Sequence, residues 1–293
     1  MSLSTPTLSI GVPIFNSERY LESALDSLLA QSYSDYELVI VDNASVDATE
    51  EICRAYASRD ARIRYHRNAV NLGPARNFYR TLELSTGRYY KYAADDDLYD
   101  PQFIDRCVSP LEADPSLVCC YSRAQLIDEN GAHLENLDVE INTDSNDVAV
   151  RLYNMISVDY LCIQLYGVIR TDVLRSLRPF EGYYGWDRNL LAELAIAGRI
   201  LALPEHLFLH RLHPKSTGSM LHFSRPLDEL KRVDPTVNWS MQLRKPQRSA
   251  ATRFKNYFAS VARAPLRPAE RVLCYAQLTR LIAEKAMRRV PGA

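Results

Sequence analysis

Apolar runs and helical segments alternate through the first hundred residues, and this alternation is the strongest constraint on the fold. Four short runs rich in β-branched and aromatic residues predict buried strands, at 7–15, Tyr36–Asp42, 62–66 and 88–94. The segments between them repeat apolar residues at helical spacing, and Pro74 begins the helix that reaches Leu84. This βαβαβαβ order predicts a mostly parallel sheet with helices on both faces, in which ligands bind beyond the carboxyl ends of the strands.

The regular alternation fades after Tyr121. An Asn130–Gly131 pair between short apolar pieces predicts a hairpin. Further helices are predicted at Asp147–Ile156, Asp187–Ala197, Ala250–Arg263 and Pro268–Val290, and extended segments at Ile200–Leu203 and His206–Leu212. We therefore expect an α/β domain over residues 1–224 and a helical C-terminal extension over residues 225–293.

The composition restricts the class of protein. Of the 293 residues, 47% are apolar and 24% are charged, which is ordinary for a soluble globular protein. No apolar stretch reaches the roughly 18 residues of a membrane-spanning helix, and the N-terminus lacks the basic and apolar segments of a secretory signal. Six scattered cysteines without CxxC spacing predict reduced core residues. We expect a cytoplasmic protein with no nucleic-acid partner.

The net charge of −1 hides a gradient along the chain. From Arg225 to the C-terminus there are 15 Lys and Arg against 5 Asp and Glu, so the preceding 224 residues hold 20 against 31. Such asymmetry suggests a basic extension that meets something anionic, such as the inner face of the cell membrane. A solvated helical face is the alternative.

An apolar strand ends abruptly in three consecutive carboxylates, Asp95, Asp96 and Asp97. Adjacent like charges repel, so a folded protein holds them together only with a compensating partner. Mg²⁺ or Mn²⁺ often uses one or two carboxylates together with substrate phosphates. A solvated acidic turn, with Asp100 as a helix cap, is the alternative. No glycine-rich phosphate loop is present, so phosphates would be held by the metal and by side chains.

Four ordered motifs, "IGVPIFN", "LVIVDNASVDAT", "NLGPARN" and "AADDDLYDP", resemble those of family 2 glycosyltransferases. The resemblance implies a GT-A (Rossmann-like) α/β fold and a nucleotide-sugar donor. It assigns the nucleotide base and ribose to four residues by match, Pro13, Phe15, Asn16 and Asp42. Asp42 has an independent rationale, because a carboxylate can accept the imide N–H of uracil. A turn aspartate beside Asn43 is the alternative for that residue.

Two further motifs of this resemblance concern the diphosphate and the metal. "NLGPARN" implies that Asn71 and Gly73 shape a loop and that Arg76 meets phosphate, although Arg76 could instead pair with a structural acid. In the acidic motif Ala94 stands where the family usually has its first aspartate. The resemblance then makes Asp97 the metal ligand and Asp96 its partner in the nucleotide site, with Asp95 reaching the ribose.

Two later segments complete the resemblance. "YYGWDRNLLAELAIAG" resembles the segment that carries the general base, which implies Asp187 as that base, with Trp186 in place of the usual acidic neighbour. A helix N-cap is the alternative for Asp187. "HRLHPKSTGS" implies a metal or diphosphate role for His213 and phosphate contact for Arg211, with His210 a weaker candidate. Aromatic and amide residues between these motifs suit sugar binding, with Trp186 as the named acceptor contact: Tyr160, Gln164, Tyr166, Tyr183 and Tyr184.

Together these features predict an inverting, metal-dependent transferase that moves a sugar from a UDP-sugar to a hydroxyl of a saccharide or lipid-linked acceptor. The resemblance implies a role in envelope or exported polysaccharide synthesis. A nucleotidyltransferase is disfavoured, because no glycine-rich, Arg-containing loop follows the first strand. An inert nucleotide-sugar or glycan-binding protein is the alternative, and Ala94 and Trp186 are the residues that favour it.

Overall fold

A computed structural model of the chain describes residues 6–138, 141–158, 161–177, 185–213 and 249–287. Its first half contains the four predicted strands: β1 (Leu8–Ile14), β2 (Tyr36–Asp42), β3 (Ile63–Arg67) and β4 (Tyr89–Tyr92). They pair in the order β3-β2-β1-β4, and every pairing is parallel. β1 and β2 are buried almost throughout, which explains their continuous apolar sequence. The predicted parallel arrangement is confirmed here.

Three helices connect these strands: α1 (Leu21–Leu29), α2 (Thr49–Arg59) and α3 (Pro74–Leu84). α1 buries residues at i, i+3, i+4 and i+7, as an amphipathic helix lying on a sheet must. α3 begins with a proline directly after Gly73, whose φ of 87° favours glycine because it has no Cβ. The start of α3 is therefore fixed by local chemistry at the edge where β1 and β2 end.

The second half of the sheet is mixed. It adds β5 (Leu98–Tyr99), β6 (Leu117–Ile127), β7 (His133–Leu137), β8 (Val168–Arg170) and β9 (Arg199–Arg211). The sheet continues from β4 through β8, β6 and β9 to β5, and of these only β6 and β9 run parallel to each other. β7 forms the predicted hairpin with β6.

One predicted boundary is absent, because the two extended segments near residue 204 form the single strand β9. The pairing of β6 with β9 shifts register between Leu203 and His206. Pro204 lies at this shift and has no N–H to donate to a neighbouring strand. The proline thus bends the strand without ending it, and β9 continues to Arg211 beside the acidic motif.

The remaining helices are α4 (Phe103–Ala113), α5 (Val148–Ser157), α6 (Thr171–Ser176), α7 (Trp186–Ala197), α8 (Ser249–Arg263) and α9 (Pro268–Met287). A 3₁₀ turn spans Ile163–Tyr166. Among the described residues, no helix combines the length and the apolar character that crossing a bilayer requires. The six cysteines are free and buried, as predicted.

α8 and α9 pack on the preceding domain, α8 against α7 and α9 against α5. Cys274, Leu278 and Leu281 of α9 are buried in this contact, with exposures of 2% or less. The predicted boundary between residues 224 and 225 lies outside the described residues. The helices of the predicted extension therefore belong to the same packed body as the sheet.

Candidate active site

A cleft of about 190 Å³ opens at the carboxyl ends of β1 and β2, where the topology predicts a ligand site. Sites for whole drug-sized ligands typically hold roughly 300–1,000 Å³, so this cleft has room for one part of a ligand, such as a base. Three of the predicted nucleotide-binding residues line this cleft: Pro13, Phe15 and Asp95. The lining consists of Pro13, Ile14, Phe15, Asn43, Pro74, Asn77, Phe78 and Asp95.

Asn16 shapes the rim of this cleft. Its backbone has a φ of 52°, a left-handed conformation that asparagine tolerates better than most residues. Its N–H donates to Ser45 Oγ at 2.9 Å, and its Oδ1 accepts the N–H of Val46 at 2.9 Å. These bonds tie the loop after β1 to the loop after β2, so Asn16 has a structural role that the sequence did not indicate.

Asp42 is fully buried at the end of β2, and its carboxylate already has three partners. Oδ2 accepts from Tyr65 Oη at 2.8 Å and from the Arg67 guanidinium, and Oδ1 accepts the N–H of Ser45 at 2.8 Å. The contact of Asp42 with a base stays a prediction. Its neighbour Asn43 lines the cleft directly, and this residue was given only as part of the alternative interpretation.

Three asparagine amides, two of them buried, hold the cleft wall together. Asn43 donates to Asn71 Oδ1 at 2.8 Å and accepts from the N–H of Leu72 at 2.9 Å, while Asn71 also accepts the N–H of Gly73. Asn77 donates to the carbonyls of Ile14 and Val41 and so joins α3 to both strand ends. Asn71 and Gly73 shape the loop as predicted. Asn77 was missed, although it ends the motif "NLGPARN".

Arg76 lies on the outer face of α3 and pairs with an acid of its own helix. Its Nη1 is 2.9 Å from Glu83 Oε1, and its guanidinium lies over the ring of Tyr79. This is the structural alternative for Arg76. Its contact with phosphate stays a prediction that requires this ion pair to open.

The three consecutive aspartates point to three different partners. Asp95 accepts a hydrogen bond from Ser17 Oγ, and Asp96 Oδ2 lies 2.9 Å from His213 Nε2. Asp97 is 1% exposed, and its Oδ1 meets His210 Nδ1 at 3.0 Å and accepts the N–H of Arg211 at 2.9 Å. Burial and the neighbouring Asp96 raise the pKa of Asp95 to about 7. The cluster thus holds more negative charge than it can easily keep in its present surroundings.

The side chains at the end of β9 and directly after it contact the acidic cluster in different ways, and the metal or diphosphate role of His213 stays a prediction. The histidine that contacts Asp97 is His210, the weaker candidate, whereas His213 contacts Asp96. Arg211 is 4% exposed and donates to the carbonyls of Asp96, Asp128 and Glu129, so its guanidinium fixes backbone and does not face a phosphate. The sequence motif located this strand end correctly, but it could not show which side chains turn inward.

Asp97 Oδ2 and His210 Nε2 are buried and have no hydrogen-bond partner in the described part of the chain. A buried carboxylate oxygen without a partner is costly, and a hard divalent cation would satisfy it. Across the described ranges, no three His, Cys, Asp or Glu side chains are arranged to enclose a metal ion. Mg²⁺ and Mn²⁺ accept few protein ligands when phosphates supply the others, so the residues present fit a metal that arrives with a diphosphate.

Lys91 lies beneath this cluster and is fully buried. Its Nζ donates to the carbonyl of Tyr166 at 2.6 Å and lies 3.7 Å from the centre of the Tyr99 ring. Burial lowers the pKa of Lys91 well below its usual value. The side chain therefore anchors the 3₁₀ turn to the strand that carries the aspartates.

Tyr166 connects the acidic cluster to the acceptor side. Burial raises the pKa of Tyr166, and the charges of Asp97, Asp96, Asp187 and Asp95 raise it further. One side chain therefore lies within electrostatic range of all four carboxylates. Of the other predicted sugar contacts, Gln164 is buried at 0% exposure, and Tyr160, Tyr183 and Tyr184 lie outside the described residues.

Asp187 lies in the first turn of α7, but it is not the N-cap. Gly185 occupies that position with a φ of 86°, so the capping alternative is wrong. Asp187 Oδ1 accepts the N–H of Arg188 at 2.8 Å, and the carboxylate also interacts with the thiol of Cys162. The assignment of Asp187 as a base stays a prediction, and the capping role no longer competes with it.

Trp186 brings the two sides of the site together. Its ring meets that of Phe78 edge-on with centroids 5.2 Å apart, and Phe78 lines the nucleotide-sized cleft. Phe78 was missed, and its only signal was its place directly after the motif "NLGPARN". Four parallel strands with this cleft at their carboxyl ends, an acidic cluster at a strand end and a separate carboxylate beyond an aromatic wall match the arrangement expected of a GT-A fold.

Comparisons with known proteins agree with this class. The model of the glycosyl transferase family 2 matches residues 9–155. An uncharacterized glycosyltransferase of Haemophilus influenzae is 26% identical over 226 residues, which are 73% of this chain and 68% of that protein. For several other curated relatives the matched part covers only 14% to 41% of their length.

Two solved structures share the fold. S. aureus TarS 1-349 in complex with UDP-GlcNAc has a TM-score of 0.65 at 16% identity, over 94% of this chain and 73% of that one. Mannosyltransferase PcManGT from Pyrobaculum calidifontis, in complex with GDP-Man and Mn²⁺, has a TM-score of 0.54 at 15% identity, over 98% and 89%. At these identities the likeness supports the fold alone. With the family model matching half of its length, the chain belongs to glycosyl transferase family 2, and it is a glycosyltransferase.

Proposed function

We propose that the protein is an inverting, metal-dependent glycosyltransferase that moves a sugar from a UDP-sugar to a hydroxyl of a saccharide or lipid-linked acceptor. One observation carries the proposal: Phe78 lines the cleft and also packs on Trp186, beside Asp187. A donor seated in the cleft and an acceptor held near Asp187 would then share one wall. TarS with UDP-GlcNAc and PcManGT with GDP-Man and Mn²⁺ support a nucleotide-sugar donor on this fold.

The cleft residues suit the donor's nucleotide. Pro13 and Phe15 offer apolar surface to a base, and the Asn43 amide offers a donor and an acceptor. The acidic cluster beside the cleft would hold the diphosphate through a divalent cation, with Asp97 as its protein ligand through Oδ2. Such a cation neutralises the charge that develops on the leaving diphosphate.

Asp187 then acts on the acceptor. Its carboxylate takes the proton of the attacking hydroxyl, which adds to the anomeric carbon on the face opposite the diphosphate. Attack from that face inverts the anomeric configuration. Trp186, directly beside the carboxylate, offers an aromatic face to the acceptor sugar.

The test uses the full chain with UDP-GlcNAc and Mn²⁺. Release of UDP shows turnover, and proton NMR of the first hydrolysis product shows its anomeric configuration. We expect turnover that EDTA abolishes and a β-configured first product from the α-configured donor. Binding of UDP without any turnover would favour the inert binding protein, and an α-configured first product would contradict inversion.

We also propose that the C-terminal helices attach the protein to the inner face of the membrane, where a lipid-linked envelope precursor would be presented. Leu278 and Leu281 of α9 are buried against the domain. Other large apolar side chains of α9 are exposed: Val272, Leu273, Ile282 and Met287. Basic residues outnumber acidic ones over 249–293, and the two acids there are both ion-paired, which complements an anionic surface.

A further inference from the structure

α8 lies alongside α7 and runs in the same direction. Asn189 Nδ2 donates to the carbonyl of Arg253 at 3.3 Å. About one turn further along α7, Glu193 accepts from Ser260 Oγ at 2.5 Å and from Arg263 at 3.1 Å. The start of α8 therefore lies beside the start of α7, which carries Asp187. A helix of the predicted extension thus reaches the acceptor side of the site.

Arg253 reaches from α8 to the start of α7. A Cβ atom added to Gly185 would lie 3.7 Å from Arg253 Nη1 and 3.8 Å from its Cδ. The guanidinium therefore lies over the first turn of α7, two positions from Asp187. Arg253 and Asp187 also act on the same two buried groups, since both charges influence the pKa of Cys162 and of Tyr257.

Within the described ranges, Arg253 lacks the acidic partner that other arginines of the C-terminal region have. Arg263 and Arg267 pair with Glu193 and Glu270, but no carboxylate of the described ranges lies within ion-pair distance of Arg253. Arg188 adds a second guanidinium beside Asp187 and donates to the carbonyl of Val158 at 3.2 Å. The N-terminus of α7 contributes further positive potential. The guanidinium of Arg253 and a helix terminus thus both lie on the side of the site that carries Asp187, which a neutral sugar hydroxyl alone would not require.

A guanidinium suits one chemical group above others. Its planar fork of N–H donors matches the oxygens of a phosphate or a carboxylate. The donor's diphosphate belongs at the acidic cluster, and the neighbours of Arg253 are Gly185, Asn189 and Tyr257, none of which lines the nucleotide cleft. The guanidinium of Arg253 therefore lies on the acceptor side, away from the nucleotide cleft.

We propose that Arg253 binds an anionic group of the acceptor, close to the hydroxyl from which Asp187 takes its proton. The acceptor is then a saccharide that bears a phosphate or a carboxylate. This inference rests on the proposed transferase function and narrows its substrate class. The hydrogen-bonded packing of α8 on α7 would then hold the Arg253 guanidinium in a fixed position relative to Asp187.

The test titrates the full chain, saturated with UDP and Mn²⁺, with glucose 6-phosphate, glucuronate, glucose and inorganic phosphate, measured by calorimetry. We expect at least one of the two anionic sugars to bind about tenfold more tightly than glucose, a preference that salt weakens. Arg253→Ala should abolish this preference, and Arg253→Lys should keep part of it, since lysine retains the charge without the fork. Lys255→Ala, an exposed position two residues further along α8, is the matched control and should change nothing.

Each remaining outcome would overturn the assignment. Equal binding of glucose and both anionic sugars would contradict an anionic acceptor. Inorganic phosphate binding as tightly as glucose 6-phosphate would contradict a saccharide acceptor at this site. Weaker UDP binding by Arg253→Ala without any sugar would assign the residue to the donor. A melting temperature within a few degrees of the parent shows that the variant is folded. A parent that binds UDP with Mn²⁺ but shows no anionic preference overturns this inference alone, whereas a parent that binds no UDP overturns the proposed function itself.

Discussion

Replacing Asp187 with asparagine separates the chemistry of the site from its stability. The structure allows both effects to be sized, because Asp187 is in the first turn of α7 but does not cap it. Its loss removes a negative charge from a helix N-terminus, an interaction worth about 0.3–1 kcal/mol. For a chain of this size each kcal/mol shifts the melting temperature by about 2–4 °C, so the variant should melt roughly 1–4 °C lower.

The effect on rate should be far larger. Asparagine keeps the shape of the side chain and can still accept the N–H of Arg188, but it cannot take a proton at neutral pH. Loss of a positioned general base typically costs about 10²–10⁴-fold in rate. Donor hydrolysis measures it without a known acceptor, because water then stands in place of the acceptor hydroxyl. The affinity for UDP with Mn²⁺ should stay within about twofold of the parent, since Asp187 is not part of the cleft lining.

Asp172→Asn is the matched control for this variant. Asp172 also lies in a first helical turn, and its Oδ1 accepts the N–H of the next residue at 2.8 Å, as Asp187 Oδ1 does. The control should therefore show a similar stability change and an unchanged rate. Hydrolysis by Asp187→Asn within a few-fold of the parent would refute the assignment. The base would then have to be sought at Glu181 or Asp159, both outside the described residues.

Three other predictions concern the metal, the acidic cluster and the membrane. Asp97→Asn should weaken Mn²⁺-dependent UDP binding at least about tenfold by calorimetry, because Asp97 Oδ2 is the oxygen without a partner in the described residues, whereas the control Asp128→Asn in the β6–β7 turn should not weaken it. Equal binding by the two variants would contradict the metal assignment. The pKa of Asp95 is raised to about 7 in the folded state, so ionisation of this carboxyl opposes folding between about pH 4 and pH 7. In EDTA, the melting temperature of Asp95→Asn minus that of the parent should therefore increase over this pH range, and a constant difference would contradict the reasoning. A Leu273→Glu and Met287→Glu double variant should bind phosphatidylglycerol vesicles more weakly than the parent, whereas Val46→Glu, at an exposed position in the loop after β2, should not. If the parent does not bind these vesicles, the membrane proposal is wrong.

The sequence predicted those features that depend on local pattern. The four parallel strands and α3 follow from apolar periodicity and from a glycine–proline pair, so their bounds differ by at most a few residues from the structure. The acidic cluster and the first turn of α7 follow from ordered motifs. Pairings between distant segments carry no such local signal. Packing across the fold decides three contacts: the ion pair of Arg76 with Glu83, the burial of the Arg211 guanidinium and the contact of His210 with Asp97.

The C-terminal helices show the same limit in another way. Leu278 and Leu281 form a regular apolar stripe, which a sequence cannot assign to a membrane or to a protein core. The structure buries that stripe against the domain and exposes other apolar residues instead. Arg253 had no signal at all, because its significance depends on the register between α7 and α8.

The packing of α8 against α7 limits where this chain can be truncated and which of its helices can be exchanged with those of a relative. The region matched by the family model ends at residue 155, before β9, α7 and α8. A fragment cut there would lose the strand that pairs with β6 and would leave Asp97 without the N–H of Arg211. A chimera that took α7 from a relative but kept this α8 would mismatch Asn189 with the Arg253 carbonyl and Glu193 with Ser260. The two helices should therefore be exchanged together, and on the proposal above acceptor preference should transfer only when both are moved.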